Sequence, residues 1–289
     1  MRLGLHALGI GAGARRAVID AVAVAAERLG FATLWAGEHV VMVDEPASRY
    51  PYSADGRIAV PPAADWIDPL IGLSFAAAAT STIDLATGVL LLPEHNPVLV
   101  AKQAATLDQL SGGRLRLGVG VGWCREEFET LGVPFGRRGA RTAEYVTAMR
   151  RLWCDDIASF AGEFISFEEV RLNPKPVRDR RIPIMVGGNS DAALRRVARW
   201  GDGWYGFNLP DVAAVAERVA VIRRMCDESG RDAGELRLAV SLAHPGAGDA
   251  ATLSEAGIDE LIVVASPPPD VAAVPDWVAG LAPQSASGP

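Results

Sequence analysis

The chain has 289 residues, 49% of them apolar, and a formal charge of −7. The apolar share supplies a sizeable core and excludes wholesale disorder, while the negative balance argues against a general nucleic-acid or anionic-membrane surface. Three scattered cysteines, Cys124, Cys154 and Cys226, lack any C-x-x-C spacing and read as reduced thiols of a cytoplasmic protein. The opening "MRLGLHALGIG" is too short and too glycine-interrupted for a signal-peptide core, and no apolar run approaches the roughly 20 residues that span a bilayer.

In chain order, "LGLHAL" (3–8) is the first strand candidate, and "AVIDAVAVAAERLG" follows it as an amphipathic helix. "TLWAG" (33–37) is the second strand, and it delivers Glu38 and His39 at its tip. Residues 42–68 then break the alternation with Pro, Tyr and Asp and no helical period. A loop of that length in a compact domain is usually functional or disordered. "IDLATGVLLL" (83–92) and "RLRLGVGVG" (114–122) are the third and fourth strands. Gly88 weakens the third from within, so a bulge or close backbone approach is expected there. Residues 155–181 carry a hairpin-like excursion, "GEFISFEEVRL". "IPIMVGG" (182–188), "GWYGF" (203–207), "LRLAVSL" (236–242) and "ELIVVAS" (260–266) complete the strands. In "DAALRRVARWG", Leu194, Val197 and Ala198 share one helical face and Gly201 is placed to end it.

Short continuous apolar runs suit strands buried on both faces of a parallel sheet. Eight strand–helix repeats without a second core predict one (β/α)₈ barrel over 1–282, with insertions after strand 2 and before strand 5. The remaining residues, 283–289, read as a frayed tail. A doubly wound sheet is the structural alternative.

A barrel builds its active site where the strands end. That rule selects Glu38 and His39, Glu94 and His95 in "LPEHNP", then "GWCREE" (122–127), "GGNS" (187–190), "NLP" (208–210) and "AHP" (243–245). An imidazole suits general acid or base work, which makes His39 a candidate for it; otherwise it is a strand-end histidine held by a carbonyl. Gly187 and Gly188 before a helix capped by Asn189, Ser190 or Asp191 suit a phosphate, with Arg195 one turn inside. The alternative is an ordinary turn that needs glycine. The glycines of "GVGVG" are read as room for a flat ligand or for close strand packing. Histidines 6, 39, 95 and 244 all fall near strand ends, which leaves a metal-dependent hydrolase open, as well as a non-catalytic ligand-binding barrel. Against the hydrolase, the first strand has no H-x-H pair and no strand end supplies a lysine for carbamylation.

"AERLGFATLWAGEHVV" (25–41), "ATGVLLLPEHNPVLVAKQAATLDQLSGGRLRLGVGVGWCREEFETLGVPFGRRGAR" (86–141), "LNPKPV" (172–177) and "IPIMVGGNSDAALRRVARWGDGW" (182–204) resemble the bacterial luciferase-like monooxygenase family, in its branch of coenzyme F420-dependent oxidoreductases. The resemblance covers residues 1–210 and fades beyond residue 245, where the segment between the last two strands looks shortened. It implies a (β/α)₈ barrel binding F420, or alternatively FMN, across its mouth. It further implies Gly187, Gly188 and Asn189 at the cofactor phosphate with Arg195 nearby. A non-prolyl cis peptide at Gly88–Val89 is implied too, with Thr87, Gly88 and Val89 against the ring and Gly120, Gly122 and Trp123 beside the ribityl chain. The same resemblance gives His39 proton transfer and Glu38 a cofactor contact, although the family often has Asp at that position. A homodimer completes its implications. A small-molecule substrate is expected under the 42–68 insertion, where Tyr50, Tyr52 and Trp66 either form an apolar wall or merely pack the loop down. An FMN-dependent monooxygenase is the alternative activity.

Overall fold

The computed structural model describes residues 1–246 and 248–281; the tail expected over 283–289 lies outside the described residues. Eight parallel strands close into a barrel: β1 (Arg2–Leu8), β2 (Thr33–Ala36), β3 (Asp84–Thr87), β4 (Leu115–Val119), β7 (Ile184–Gly187), β8 (Gly203–Leu209), β9 (Arg237–Leu242) and β10 (Glu260–Val264). They neighbour one another in that order, and β10 pairs back onto β1 with Gly4 opposite Ile262. The two remaining strands, β5 (Ala158–Ala161) and β6 (Ser166–Val170), form the antiparallel hairpin expected before the fifth barrel strand. The doubly wound alternative is thereby set aside, because an open sheet has edges and this one has none.

Helices α1 (Arg16–Arg28), α2 (Pro69–Ala79), α3 (Pro97–Ser111), α4 (Arg125–Thr130), α5 (Arg138–Cys154), α6 (Asp191–Trp200), α7 (Val212–Ser229), α8 (Asp249–Glu255) and α9 (Val274–Leu281) surround the strands. Local chemistry sets their ends. Asn96 accepts from the N–H groups of Val98 and Leu99 ahead of Pro97, Ser190 accepts from Ala193, and Asp211 accepts from Ala214 at 2.8 Å. Replacing Asp211 with alanine should cost about 1 kcal/mol, read as a lowered midpoint in urea with an unchanged slope. The face of α6 predicted to be apolar is buried as expected, through Leu194, Val197 and Ala198. No described helix is long and apolar enough to cross a membrane.

The third and fourth predicted strands overran their ends furthest. β3 stops at Thr87 because Gly88 and Val89 leave the ladder through a cis peptide bond, and pairing resumes only at Leu90 opposite Val119. β4 stops at Val119, and Gly120–Trp123 form the turn into α4.

The barrel interior is filled in layers. At the strand starts, the buried Glu260 carboxylate accepts from Trp35 Nε1 (2.8 Å), Thr33 Oγ1 (3.1 Å) and Arg116 (3.2 Å). Arg116 also binds Asp84, which pairs with Arg2. A methyl at Gly4 would fall 2.3 Å from Glu260 Oε1, so the glycine makes room for that carboxylate. Above this layer, Trp35 stacks on Tyr205 with centroids 4.8 Å apart, beside Ala86, Met185, Ala239 and Ile262. This buried charge network thus occupies the strand starts, opposite the end where the strand C-termini meet.

Candidate active site

A cavity of about 1130 Å³ opens at the strand C-termini, roofed by the 42–68 insertion. That insertion holds its place through fixed hydrogen bonds rather than regular structure. Glu126 Oε1 accepts from Ala47 and Ser48 N–H, Trp66 Nε1 donates to the Gly37 carbonyl at 3.1 Å, and Asn208 Nδ2 donates to the Tyr52 carbonyl. Tyr50, Tyr52 and Trp66 all line the cavity. Tyr50 packs edge-on against Trp123, and Tyr52 against Phe207.

His39 lines this cavity with its ring nearly perpendicular to those of Trp66 and Trp123, at 4.8 and 5.8 Å between centroids. Its Nδ1 meets Glu127 Oε2 at 2.7 Å, while Glu127 Oε1 accepts from the N–H groups of Val40 and Val41. Those backbone donors fix the carboxylate, and the carboxylate fixes the imidazole. Glu38 is committed differently. Its oxygens accept from Leu91 N–H at 2.5 Å and pair with His95 Nε2 at 3.0 Å, which ties the β2 loop to the β3 loop. Burial opposes charge on His95, yet the Glu38 hydrogen bond and charge leave its pKa raised.

Between these pairs lies Glu94. It is buried, and neither carboxyl oxygen has a hydrogen-bond partner among the described residues. Burial pushes its pKa up to about 9, with Glu127 and Glu38 adding repulsion, so Glu94 is a neutral acid at physiological pH.

Gly88 and Val89 reach the cavity, and Thr87 does not. Thr87 is wholly buried and donates to the Gly118 carbonyl at 2.6 Å, because alternation along β3 turns it away from its neighbour. Val89 explains two predicted glycines. A methyl at Gly120 would sit 2.6 Å from Val89 Cγ2, and one at Gly187 would sit 2.6 Å from Val89 Cγ1. Of the two readings of the "GVGVG" glycines, close packing therefore applies to Gly120. Gly122, at φ 74°, and Trp123 also line the wall. Trp123 Nε1 is buried without a partner among the described residues.

Gly187, Gly188 and Asn189 line the cavity at the head of α6. Gly188 has φ 113°, a conformation L side chains rarely adopt. Asn189 is held from both sides, donating to the Phe207 carbonyl at 2.7 Å and accepting from its N–H at 3.2 Å. In the first turn of α6 the Ala193 N–H is taken by Ser190, which leaves those of Asp191 and Ala192 without an acceptor among the described residues. The sequence placed Arg195 beside them, but Arg195 lies on the exposed face of the helix, off the cavity. Its neighbour Arg196 lines the cavity instead, with a buried Nε that has no partner among the described residues, and Arg138 lines it nearby. Burial and Arg138 both oppose charge on Arg196, so an anion there would relieve two cations at once.

The histidines considered for a metal are not gathered. His6 pairs with Tyr205, His39 with Glu127 and His95 with Glu38, and His244 is exposed. No group of three or more His, Cys, Asp or Glu among the described residues is arranged to hold a metal ion. Sequence reasoning missed Glu127 as the partner of His39, Arg196 as a cavity cation, and the His6–Tyr205 pair. A strand-end histidine was the only signal for the last.

Residues 3–266 match the family model described as luciferase-like monooxygenase. An uncharacterized protein of Mycobacterium tuberculosis (strain ATCC 25618 / H37Rv) is 38% identical over 213 residues, 73% of this chain and 74% of that one. The FMNH(2)-dependent dimethylsulfone monooxygenase of Pseudomonas putida is 35% identical over 156 residues, 53% of this chain and 42% of its own length. Among solved structures, an F420-dependent secondary alcohol dehydrogenase superposes with a TM-score of 0.74 over 96% of this chain and 97% of that one. At 19% identity that likeness speaks for the barrel alone. With the matched model spanning the strands that build the cavity, the chain belongs to the luciferase-like monooxygenase family.

Proposed function

We propose that the protein is an oxidoreductase that binds the deazaflavin coenzyme F420 across the barrel mouth and moves hydride between it and a small organic substrate. The observation that carries this reading is the His39–Glu127 pair on the cavity wall, within the same cavity as the Gly88–Val89 bulge and the cationic head of α6. The cavity fits a phosphate-bearing cofactor. Arg196 Nε is a buried donor without a partner, and the Gly187–Gly188 turn leaves the start of α6 open to an anion. At about 1130 Å³ the cavity exceeds the roughly 300–1,000 Å³ of ordinary ligand sites, which suits a cofactor together with a second molecule.

When bound, the deazaflavin supplies two-electron hydride chemistry. The chain's own residues do the rest. Arg138, Arg196 and the open start of α6 beside Gly187 and Gly188 would hold the phosphate, while Gly88 and Val89 would support the ring. With Nδ1–H donated to Glu127, His39 Nε2 is left to take or return the proton of a substrate hydroxyl. Trp66, Trp123, Tyr50 and Tyr52 exclude water from that exchange. Glu38 acts through His95 and Leu91 as a positioning residue. A homodimer is part of the proposal, since the apolar helix α2 leaves Ile71 and Phe75 exposed at 59% and 42% for a second copy to cover.

Titration of the purified protein with F420, FMN and FAD, followed by ligand fluorescence, tests the coenzyme. F420 is expected to bind tightly. Arg196→Gln should weaken it roughly 10-fold or more, and Arg195→Gln should leave it unchanged. The second reading, an FMN-dependent monooxygenase, is favoured by the 35% identity to the dimethylsulfone enzyme. Tight FMN binding without F420 binding would select it.

A further inference from the structure

His6 has no part in the reading above, yet it lies on the floor of the same cavity, beside Gly37 and Gly88. Its Nδ1 is 2.9 Å from the Tyr205 hydroxyl oxygen. Its Nε2 has no hydrogen-bond partner among the described residues and lies 3.3 Å from where a methyl on Gly37 would fall. The direction of the hydrogen bond behind His6 is fixed by the Tyr205 hydroxyl. Tyr205 is buried, and among the described residues the one hydrogen-bond partner of its hydroxyl is His6 Nδ1. A buried hydroxyl hydrogen must find an acceptor, so Tyr205 gives its own to His6 Nδ1. The proton of a neutral His6 is then on Nε2, on the cavity side. Burial pushes the His6 pKa down to about 4, so the ring stays neutral and keeps this tautomer.

We infer that His6 presents a fixed Nε2–H donor from the cavity floor to a carbonyl or alkoxide oxygen of the bound ligand. The Tyr205–His6 hydrogen bond is what holds the donor in place. The two cavity histidines would then be complementary: His39 Nε2 accepts a proton and His6 Nε2 offers one. An oxygen between a donor and a base is the arrangement that a hydroxyl–carbonyl interconversion needs. Two sources could supply the oxygen, a ring carbonyl of the coenzyme or the substrate itself. The tautomer stands on this chain alone, whereas the ligand half rests on the coenzyme reading above.

Two-bond ¹H–¹⁵N correlation spectra of histidine-labelled protein test both halves, since the chain has only four histidines and His6→Gln identifies one set of signals by its loss. In the free protein, His6 should show protonated Nε2 and bare Nδ1, unchanged from mildly acidic to mildly alkaline pH. Tyr205→Phe should mix the tautomers. The reverse tautomer, or one indifferent to Tyr205→Phe, overturns the inference whether or not any coenzyme binds. F420, FMN and then acetone are added to the same sample. A shift of the His6 Nε2–H signal on coenzyme binding assigns the oxygen to the ring, and a shift only on acetone assigns it to the substrate. No shift with coenzyme demonstrably bound overturns the ligand half, whereas failure of both coenzymes to bind instead refutes the coenzyme reading and leaves the tautomer result to decide. If the ring is the source, Tyr205→Phe should also weaken coenzyme binding roughly 2- to 10-fold, and His6→Gln, which keeps an N–H donor, by less.

Discussion

Replacing Glu94 with glutamine should make the protein more stable at mildly alkaline pH, although the residue is buried beside the active site. In the fold, burial and the neighbouring Glu127 and Glu38 hold the carboxyl in its acid form up to about pH 9, against an ordinary value of 4.5. Between those values the folded chain keeps a proton that the unfolded chain has released, so stability falls as pH rises. This one group contributes a slope of about 1.4 kcal/mol per pH unit. Below the ordinary value both states are protonated and the cost disappears; above the raised value both are ionised and it stops growing. Glutamine does not titrate, so the variant carries no such dependence on pH. Urea denaturation from about pH 5 to about pH 8 should therefore show the two proteins diverging, with the variant ahead by several kcal/mol at the upper end. Parallel pH profiles would mean that Glu94 is ionised in the fold.

The barrel was legible because each strand is a short apolar run bounded by a turn, and parallel strands buried on both faces have to look that way. Its closure was legible only as a count of repeats. Element ends were less readable: Gly88 in "ATGVLLL" signals the irregularity, but nothing in that apolar run says that β3 stops at Thr87 and pairs again only at Leu90. At the site, sequence gives the residue and not its direction. Thr87 and Gly88 are adjacent, yet one braces β4 and the other reaches the cavity. Arg195 and Arg196 are also adjacent, and roughly 100° of helix rotation separates an exposed cation from one in the wall. The pairings that matter most span the chain, with His39 and Glu127 88 positions apart and His6 and Tyr205 199 apart. Barrel closure alone brings them together, and no local spacing encodes them. The His39 tip of β2 was visible at once, whereas the carboxylate that gives it a direction sits a turn inside α4.

That carboxylate carries the second large expectation: Glu127→Gln should slow turnover about as severely as His39→Ala, by roughly 10²- to 10⁴-fold, while coenzyme affinity barely changes. In the native site Glu127 accepts from the Val40 and Val41 N–H groups through Oε1 and from His39 Nδ1–H through Oε2. The Nε2 lone pair is therefore turned toward the cavity. A glutamine keeps the two backbone bonds with its oxygen, which leaves its amide facing Nδ1. A donor at that place is satisfied only if Nδ1 is bare, so the proton moves to Nε2 and the base becomes a second donor. Shape, burial and packing against Trp66 and Trp123 are preserved, and only the tautomer is reversed. Turnover followed by coenzyme absorbance, together with fluorescence titration of coenzyme affinity, separates the possibilities. A Glu127→Gln variant that turns over normally while His39→Ala does not would show that the orientation of His39 is set elsewhere. Equal losses with intact affinity would place the reaction's proton on His39 Nε2.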